Sequence, residues 1–158
     1  MSAGHGPGAA AGGSHLFDLP RARLAALESA EWGLVTSSGM AAISAILLAT
    51  LQKGQRVVAS NKLYGRTSQL LAQELSRFGV ETTFVDTNDL DATQQALGKP
   101  ARLVLVETVS NPLLRVVDLP ALAQMSKRAG ALLVVDNTFA TPVLTRPLEM
   151  GADLVMES

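Results

Sequence analysis

The sequence predicts an α/β fold, a mainly parallel sheet with helices on both faces. Three observations predict it. From about residue 34 onward, strand-like segments alternate with helix-like ones, the pattern of a sheet joined by crossover helices. Several strand segments, such as "RLVLVE" and "ALLVVD", are unbroken apolar runs, as expected of strands covered on both faces. Charged residues make up 17% of the 158 residues and hydrophobic ones 47%, against a usual charged share of about 25%.

The elements follow in order. Residues 1–14, "MSAGHGPGAAAGGS", are low-complexity Gly/Ala and predict a disordered lead, continued to residue 17. "GPGAAAGG" echoes a dinucleotide-binding glycine loop, but no strand precedes it and Pro7 lies inside, which argues against a nicotinamide-binding domain. His5 and His15 read as exposed bystanders. "DLPRARLAALESAE" predicts a helix with Asp18 as N-cap, proline in the first turn, and Leu24 and Leu27 at helical spacing. "GLVTS" is a short strand or turn. "SGMAAISAILLATLQKG" is a nearly all-apolar helix ended by Gly54, and "QRVVAS" is a strand. "RTSQLLAQELSRFG" is amphipathic, with Leu71, Leu75 and Phe78 at i, i+4 and i+7 and Gly79 as its stop.

"VETTFV" is a strand and "DLDATQQAL" a short helix. "RLVLVE" is a buried strand. "DLPALAQMSKRAG" is a helix capped by Asp118, with Leu119 and Leu122 inward and basic residues in its last turn. "ALLVVD" is a strand, "RPLEMG" one helical turn, and "DLVME" the last strand. No internal repeat is visible.

Bulk properties exclude several functions. The net charge of −1 offers no basic footprint for nucleic acid or a polybasic membrane contact. With no cysteine, disulfide frameworks and thiolate metal sites are excluded, which fits a cytoplasmic location. No apolar run reaches the roughly 18 residues of a membrane span, and the N-terminus lacks the pattern of a signal peptide. No His/Cys cluster suggests a metal.

Four strand-to-helix connections hold residues suited to chemistry. In "TSSGMAA", Ser38, Gly39 and Met40 lead straight into a helix, where free N–H groups and the helix dipole favour an anion; an ordinary serine cap explains the same residues. In "SNKLYG", Tyr64 is the only tyrosine, able to stack on a flat ring or to sit half-buried on a loop. In "ETVSNPLLRV", Glu107 ends an apolar strand and Asn111–Pro112 forces a turn. In "VVDNTFATP", Asp136 follows a buried run. A carboxylate there is costly unless paired, internally or with a ligand cation. Asn137 and Thr138 add hydrogen-bonding groups. An anion nest, an aromatic, an amide and a carboxylate at one sheet edge suit a flat, phosphorylated, cationic ring, and pyridoxal phosphate is such a ring.

The stretches "SSGMAA", "LYGRT", "VETVSNPLLRVVDLPAL" and "LLVVDNTFATPVLTRPLEMGADLV" closely resemble the Cys/Met-metabolism family of pyridoxal-phosphate enzymes, from about Pro20 to Ser158. That family includes cystathionine γ-synthase, cystathionine β- and γ-lyases and methionine γ-lyase. The resemblance implies an aspartate-aminotransferase-like (fold type I) large domain, present in part over residues 18–158, and pyridoxal 5′-phosphate as cofactor. It implies chemistry at a C–S bond of a sulfur amino acid, by elimination or γ-replacement, in a homo-oligomer arranged as a dimer of dimers.

By the same resemblance, Gly39 and Met40 of the Ser38–Gly39–Met40 turn would give N–H groups to the phosphate and Tyr64 would stack on the ring. Asn111 would lie near the phenolic oxygen, Asp136 would pair with the ring nitrogen with Thr138 beside it, and Ser158 would bind phosphate. The family's Schiff-base lysine comes three positions after that serine, so the resemblance implies a stretch without it. An inactive remnant that binds cofactor weakly, or an interaction module, is the alternative. Glu157 stands where many members have histidine.

Overall fold

The computed structural model describes residues 15–158; the glycine-rich lead, with His5, lies outside the described residues. Five parallel strands form one sheet in the order β2-β1-β3-β4-β5. They are β1 Arg56–Ser60, β2 Glu81–Val85, β3 Leu103–Glu107, β4 Leu132–Asp136 and β5 Leu154–Met156. Every strand expected from an apolar run is present. "GLVTS" forms no strand and crosses to the next helix as irregular chain.

The helices are α1 His15–Leu27, α2 Gly39–Thr50, α3 Gly65–Gln69, α4 Leu90–Ala96, α5 Leu119–Arg128 and α6 Thr141–Leu144. Local chemistry starts several of them. Ser38, Asp89 and Asp118 each accept a backbone N–H three residues on, from Ala41, Ala92 and Ala121, which satisfies an orphan donor of the first turn. Lys127 and Arg128 close α5, where a helix terminus favours positive charge.

The strands explain their own composition. Val57, Ala59, Leu103, Leu105 and Val134 pack with Ile43 and Leu47 of α2 and with Leu71 and Leu75 on one face. Val58, Val104, Val106, Leu133 and Val135 pack with Leu119, Leu122 and Met125 of α5 on the other. Successive side chains point to opposite faces, so two covered faces require apolar residues at every position. Two smaller devices set the ends of β5. Gly151 closes the 3-10 turn Pro147–Met150 in the left-handed region, at φ 98°, which glycine adopts without strain. Asp153 then extends the ladder with its side chain, accepting the Leu133 N–H at 2.8 Å while its own N–H reaches the Leu133 carbonyl at 2.9 Å.

Three expectations need correction. The first helix begins at His15 and runs through Asp18, so Asp18 is not its cap and Pro20 lies inside it. Its inward side follows the half-buried Arg21 and Ala25 toward the buried Glu28 just past its end, leaving Leu24 and Leu27 exposed. The second apolar helix stops at Thr50, and Gly54 belongs to the turn beyond it. In the third, α3 passes into a π-helical stretch at Leu70–Leu75. Leu71 and Leu75 are buried, but Phe78 is 66% exposed. The wider i→i+5 turn brings the chain out of α-helical phase before Phe78 is reached.

Candidate functional site

The chain enters the sheet at β1, adds β2 on one side, and then places β3, β4 and β5 on the other. The strand order therefore reverses between β1 and β3, and the crevice at the carboxyl ends of such strands is where α/β sheets take their ligands. Glu107 ends β3 at this point, beside Asp136, its register partner at the end of β4. Tyr64 follows β1, and its backbone N–H donates a short hydrogen bond to Glu107 Oε1. The Tyr64 ring is left exposed, free to cover a flat ligand.

Glu107 is 7% exposed. Burial pushes its carboxyl up to about 7, Asp136 adds to the rise, and the Tyr64 N–H opposes it. This edge thus holds two adjacent carboxyls, one of which keeps its proton more readily than an ordinary glutamate. Asp136 Oδ1 accepts both the backbone N–H of Thr138, at 3.0 Å, and the Thr138 hydroxyl. The Thr138 oxygen in turn accepts the N–H of Ser158 at 3.1 Å.

Ser158 lies against the first turn of α2. A Cβ built on Gly39 would fall 2.5 Å from Ser158 Cβ and 2.6 Å from Ser158 Oγ, so only glycine allows this approach. The N–H groups of Gly39 and Met40 lie in that first turn, where no intrahelical carbonyl is available. The Ser158 hydroxyl therefore lies beside the turn that carries these amides. Ser38 works differently: its Oγ is engaged in capping α2.

Asn111 sits in the exposed loop after β3, next to a cis peptide bond to Pro112. Asn137 faces away from the crevice, fully buried. Gly39, Met40, Tyr64, Asp136, Thr138 and Ser158 thus share one sheet edge, with Asn111 on a loop rising from it. Donors for an anion lie at one end and a carboxylate for a cation in the middle, a chemistry that fits a phosphorylated pyridinium ring. Among the described residues, no group of histidine, cysteine and acidic side chains could hold a metal ion, and no helix is long and apolar enough to cross a membrane.

A sequence model of the Cys/Met metabolism PLP-dependent enzymes matches residues 18–158. The chain belongs to this family. It is 47% identical over 137 residues to an L-methionine gamma-lyase of Fusobacterium nucleatum subsp. polymorphum, covering 86% of this chain and 35% of that one. It is 43% identical over 132 residues to a cystathionine gamma-lyase of Bacillus subtilis (strain 168), covering 84% and 35%. The chain thus spans about a third of the length of these relatives.

Among solved structures, a cystathionine gamma synthase from Xanthomonas oryzae pv. oryzae, in complex with aminoacrylate and cysteine, superposes with a TM-score of 0.90. Its identity is 40%, over 92% of this chain and 38% of that one. The sheet is therefore that of the fold type I PLP enzymes, and the family depends on pyridoxal phosphate.

Sequence reasoning singled out Glu107 without a role, and it missed Glu28 altogether. Glu28 is buried at the end of α1 and is joined to Asn137 across 109 residues of chain. No local signal announces such a pairing, because each partner reads on its own as an ordinary polar residue.

Proposed function

We propose that the chain supplies phosphate and ring contacts in a pyridoxal-phosphate enzyme acting on sulfur amino acids, one that makes or breaks a C–S bond by elimination or γ-replacement. The close approach of Ser158 to Gly39, which leaves space for glycine alone, carries this reading. When bound, pyridoxal phosphate supplies an electron sink for a carbanion at the substrate Cα.

The chain's own residues would do the following. Gly39 and Met40 donate N–H groups to the phosphate, with the Ser158 hydroxyl beside them, and the N-terminus of α2 adds its dipole. Ser38 holds the turn in shape by capping it. Tyr64 covers one face of the ring, and Asn111 lies toward the phenolic oxygen. Asp136 holds a proton on the ring nitrogen, oriented by Thr138. In the cytoplasm, a homo-oligomer arranged as a dimer of dimers would complete the assembly.

The lysine positions favour a second reading, in which this chain binds the cofactor without turning substrate over. Lys53, Lys99 and Lys127 precede β1, β3 and β4, and so lie at the opposite edge of the sheet. Lys62 alone follows a strand at the site edge. Titration of the chain with pyridoxal phosphate, followed by absorbance, tests the binding. Saturation that D136N weakens supports it, and no saturation overturns it. Borohydride trapping of a stoichiometric lysine adduct, together with turnover of cystathionine, would exclude the second reading.

A further inference from the structure

Behind the crevice, three side chains from separate elements meet. Asn137, after β4, is fully buried. Its Nδ2 donates to Glu28 Oε1 at 3.3 Å, to Glu157 Oε1 at 3.2 Å and to the Thr145 carbonyl at 3.1 Å. Its Oδ1 accepts the Thr108 hydroxyl at 2.7 Å. Two amide hydrogens are therefore divided among three acceptors. Glu28, at the end of α1, is 5% exposed, and its Oε2 is buried with no hydrogen-bond donor among the described residues. The Glu157 and Glu28 carboxyls are brought together by one shared donor, the Asn137 Nδ2, which reaches an oxygen of each.

Two ionised carboxylates so placed would repel each other in a medium less polar than water. One proton between them replaces that repulsion with a charge-assisted hydrogen bond. The groups acting on Glu157 agree. Burial, the hydrogen bond and charge of Glu28, and the charge of Asp136 push its carboxyl up to about 7, with the Asn137 amide opposing.

Glu157 immediately precedes Ser158, whose N–H is tied to Thr138 and whose side chain covers Gly39. We propose that Glu157 is a positioning residue: a proton held between Glu157 and Glu28 fastens the chain after β5 to the end of α1, and so keeps Ser158 over the first turn of α2. The consequence for ligands rests on the reading of that turn as a phosphate site. With the proton bound, the serine is held and one negative charge is removed from beside an anion site. With the proton gone, the two carboxylates push apart and Ser158 loses its seat.

The test has two arms, run on the whole chain, E157Q and E157A between about pH 5 and about pH 8. The first arm uses no ligand and reads the hydrogen-exchange protection of the Ser158 amide, corrected for the intrinsic exchange rate. In the native chain, protection falls about tenfold as pH rises through the titration, or by roughly 1.4 kcal/mol. E157Q, which donates an N–H to Glu28 and does not titrate, keeps the low-pH protection throughout, and E157A lacks it throughout. Glu107 is intact in both variants, so its own titration cannot produce the difference. A pH dependence equal in the native chain and E157Q overturns the proposal, as does a native chain whose protection is flat.

The second arm reads sulfate affinity by calorimetry, because sulfate does not titrate in this range. Affinity falls about tenfold in the native chain and stays level in E157Q. If sulfate binds neither protein while the first arm holds, the positioning role stands and the phosphate-site reading fails.

Discussion

Glu107 accepts the backbone N–H of Tyr64 across the gap where the strand order reverses. One carboxyl thus links the loop after β1 to the end of β3, 43 residues further along the chain, and it does so beside Asp136. Two properties follow from this one contact: where Tyr64 sits and how the edge titrates.

The first prediction concerns pH. The carboxyl of Glu107 is raised from 4.5 to about 7, so the folded protein holds its proton more tightly than the unfolded chain does. Its contribution to stability is complete below about pH 4.5, declines as pH rises, and is lost above about pH 7. Glu107→Gln keeps an acceptor for Tyr64 and removes this slope. The expected difference in pH dependence between the two proteins is on the order of 1 to 2 kcal/mol after solvent screening. Urea unfolding at both ends of the window measures it, and equal slopes would refute it.

Asp136→Asn separates charge from shape. Asparagine can still accept from Thr138, so the fold is expected to hold. Loss of the carboxylate should weaken pyridoxal-phosphate binding about 10- to 100-fold, or roughly 1.4 to 2.8 kcal/mol. It should also remove one cause of the raised Glu107 carboxyl and lower its midpoint. Spectrophotometric titration reads the first effect, and carbon-detected NMR of labelled glutamate the second.

Gly39→Ala places a methyl group where Ser158 now lies. Alanine is otherwise a good helix residue at this position, so thermal stability should change little while Ser158 is displaced. Affinity for pyridoxal phosphate is expected to fall at least about tenfold. A variant that binds as tightly as the native chain would show that the approach of Ser158 to α2 is irrelevant to the ligand.

At the far edge of the sheet, Arg56 is buried and makes four hydrogen bonds. Its guanidinium donates to the carbonyls of Ala96, Lys99 and Pro100 and to the Thr83 hydroxyl. Arg56→Ala leaves those acceptors without donors, each loss costing about 1 to 3 kcal/mol where water cannot reach. A net destabilisation of roughly 3 kcal/mol is expected, measured as a shift of the urea midpoint with the slope unchanged. Ligand affinity extrapolated to the folded state should not change.

Much of the fold was legible in the sequence because local chemistry writes it. Apolar runs such as "RLVLVE" mark strands covered on both faces, and Asp89 and Asp118 cap helices where side-chain geometry alone decides. The failures have equally local causes. Asp18 and Pro20 carry a helix-start signal, yet the helix begins upstream of both. Phe78 keeps α-helical spacing in sequence, but the backbone before it is π-helical. At the candidate site, turn residues such as Gly39 and an acid after an apolar strand such as Asp136 were visible one at a time. The Glu28–Asn137–Glu157 cluster was not, since its members meet only after three elements have packed.

The two covered faces of the sheet have a further consequence. In a strand with one wet face, a slip by one residue would drive polar groups into the core, and the hydrophobic pattern itself forbids it. Here a slip of β3 would exchange Leu103 and Leu105 for Val104 and Val106, trading one aliphatic layer for another. The interior cannot discriminate strongly against that error. Discrimination falls to the polar ends, where Arg56 grips three carbonyls below and Glu107 meets Tyr64 above, so the charged rim keeps the strands in step.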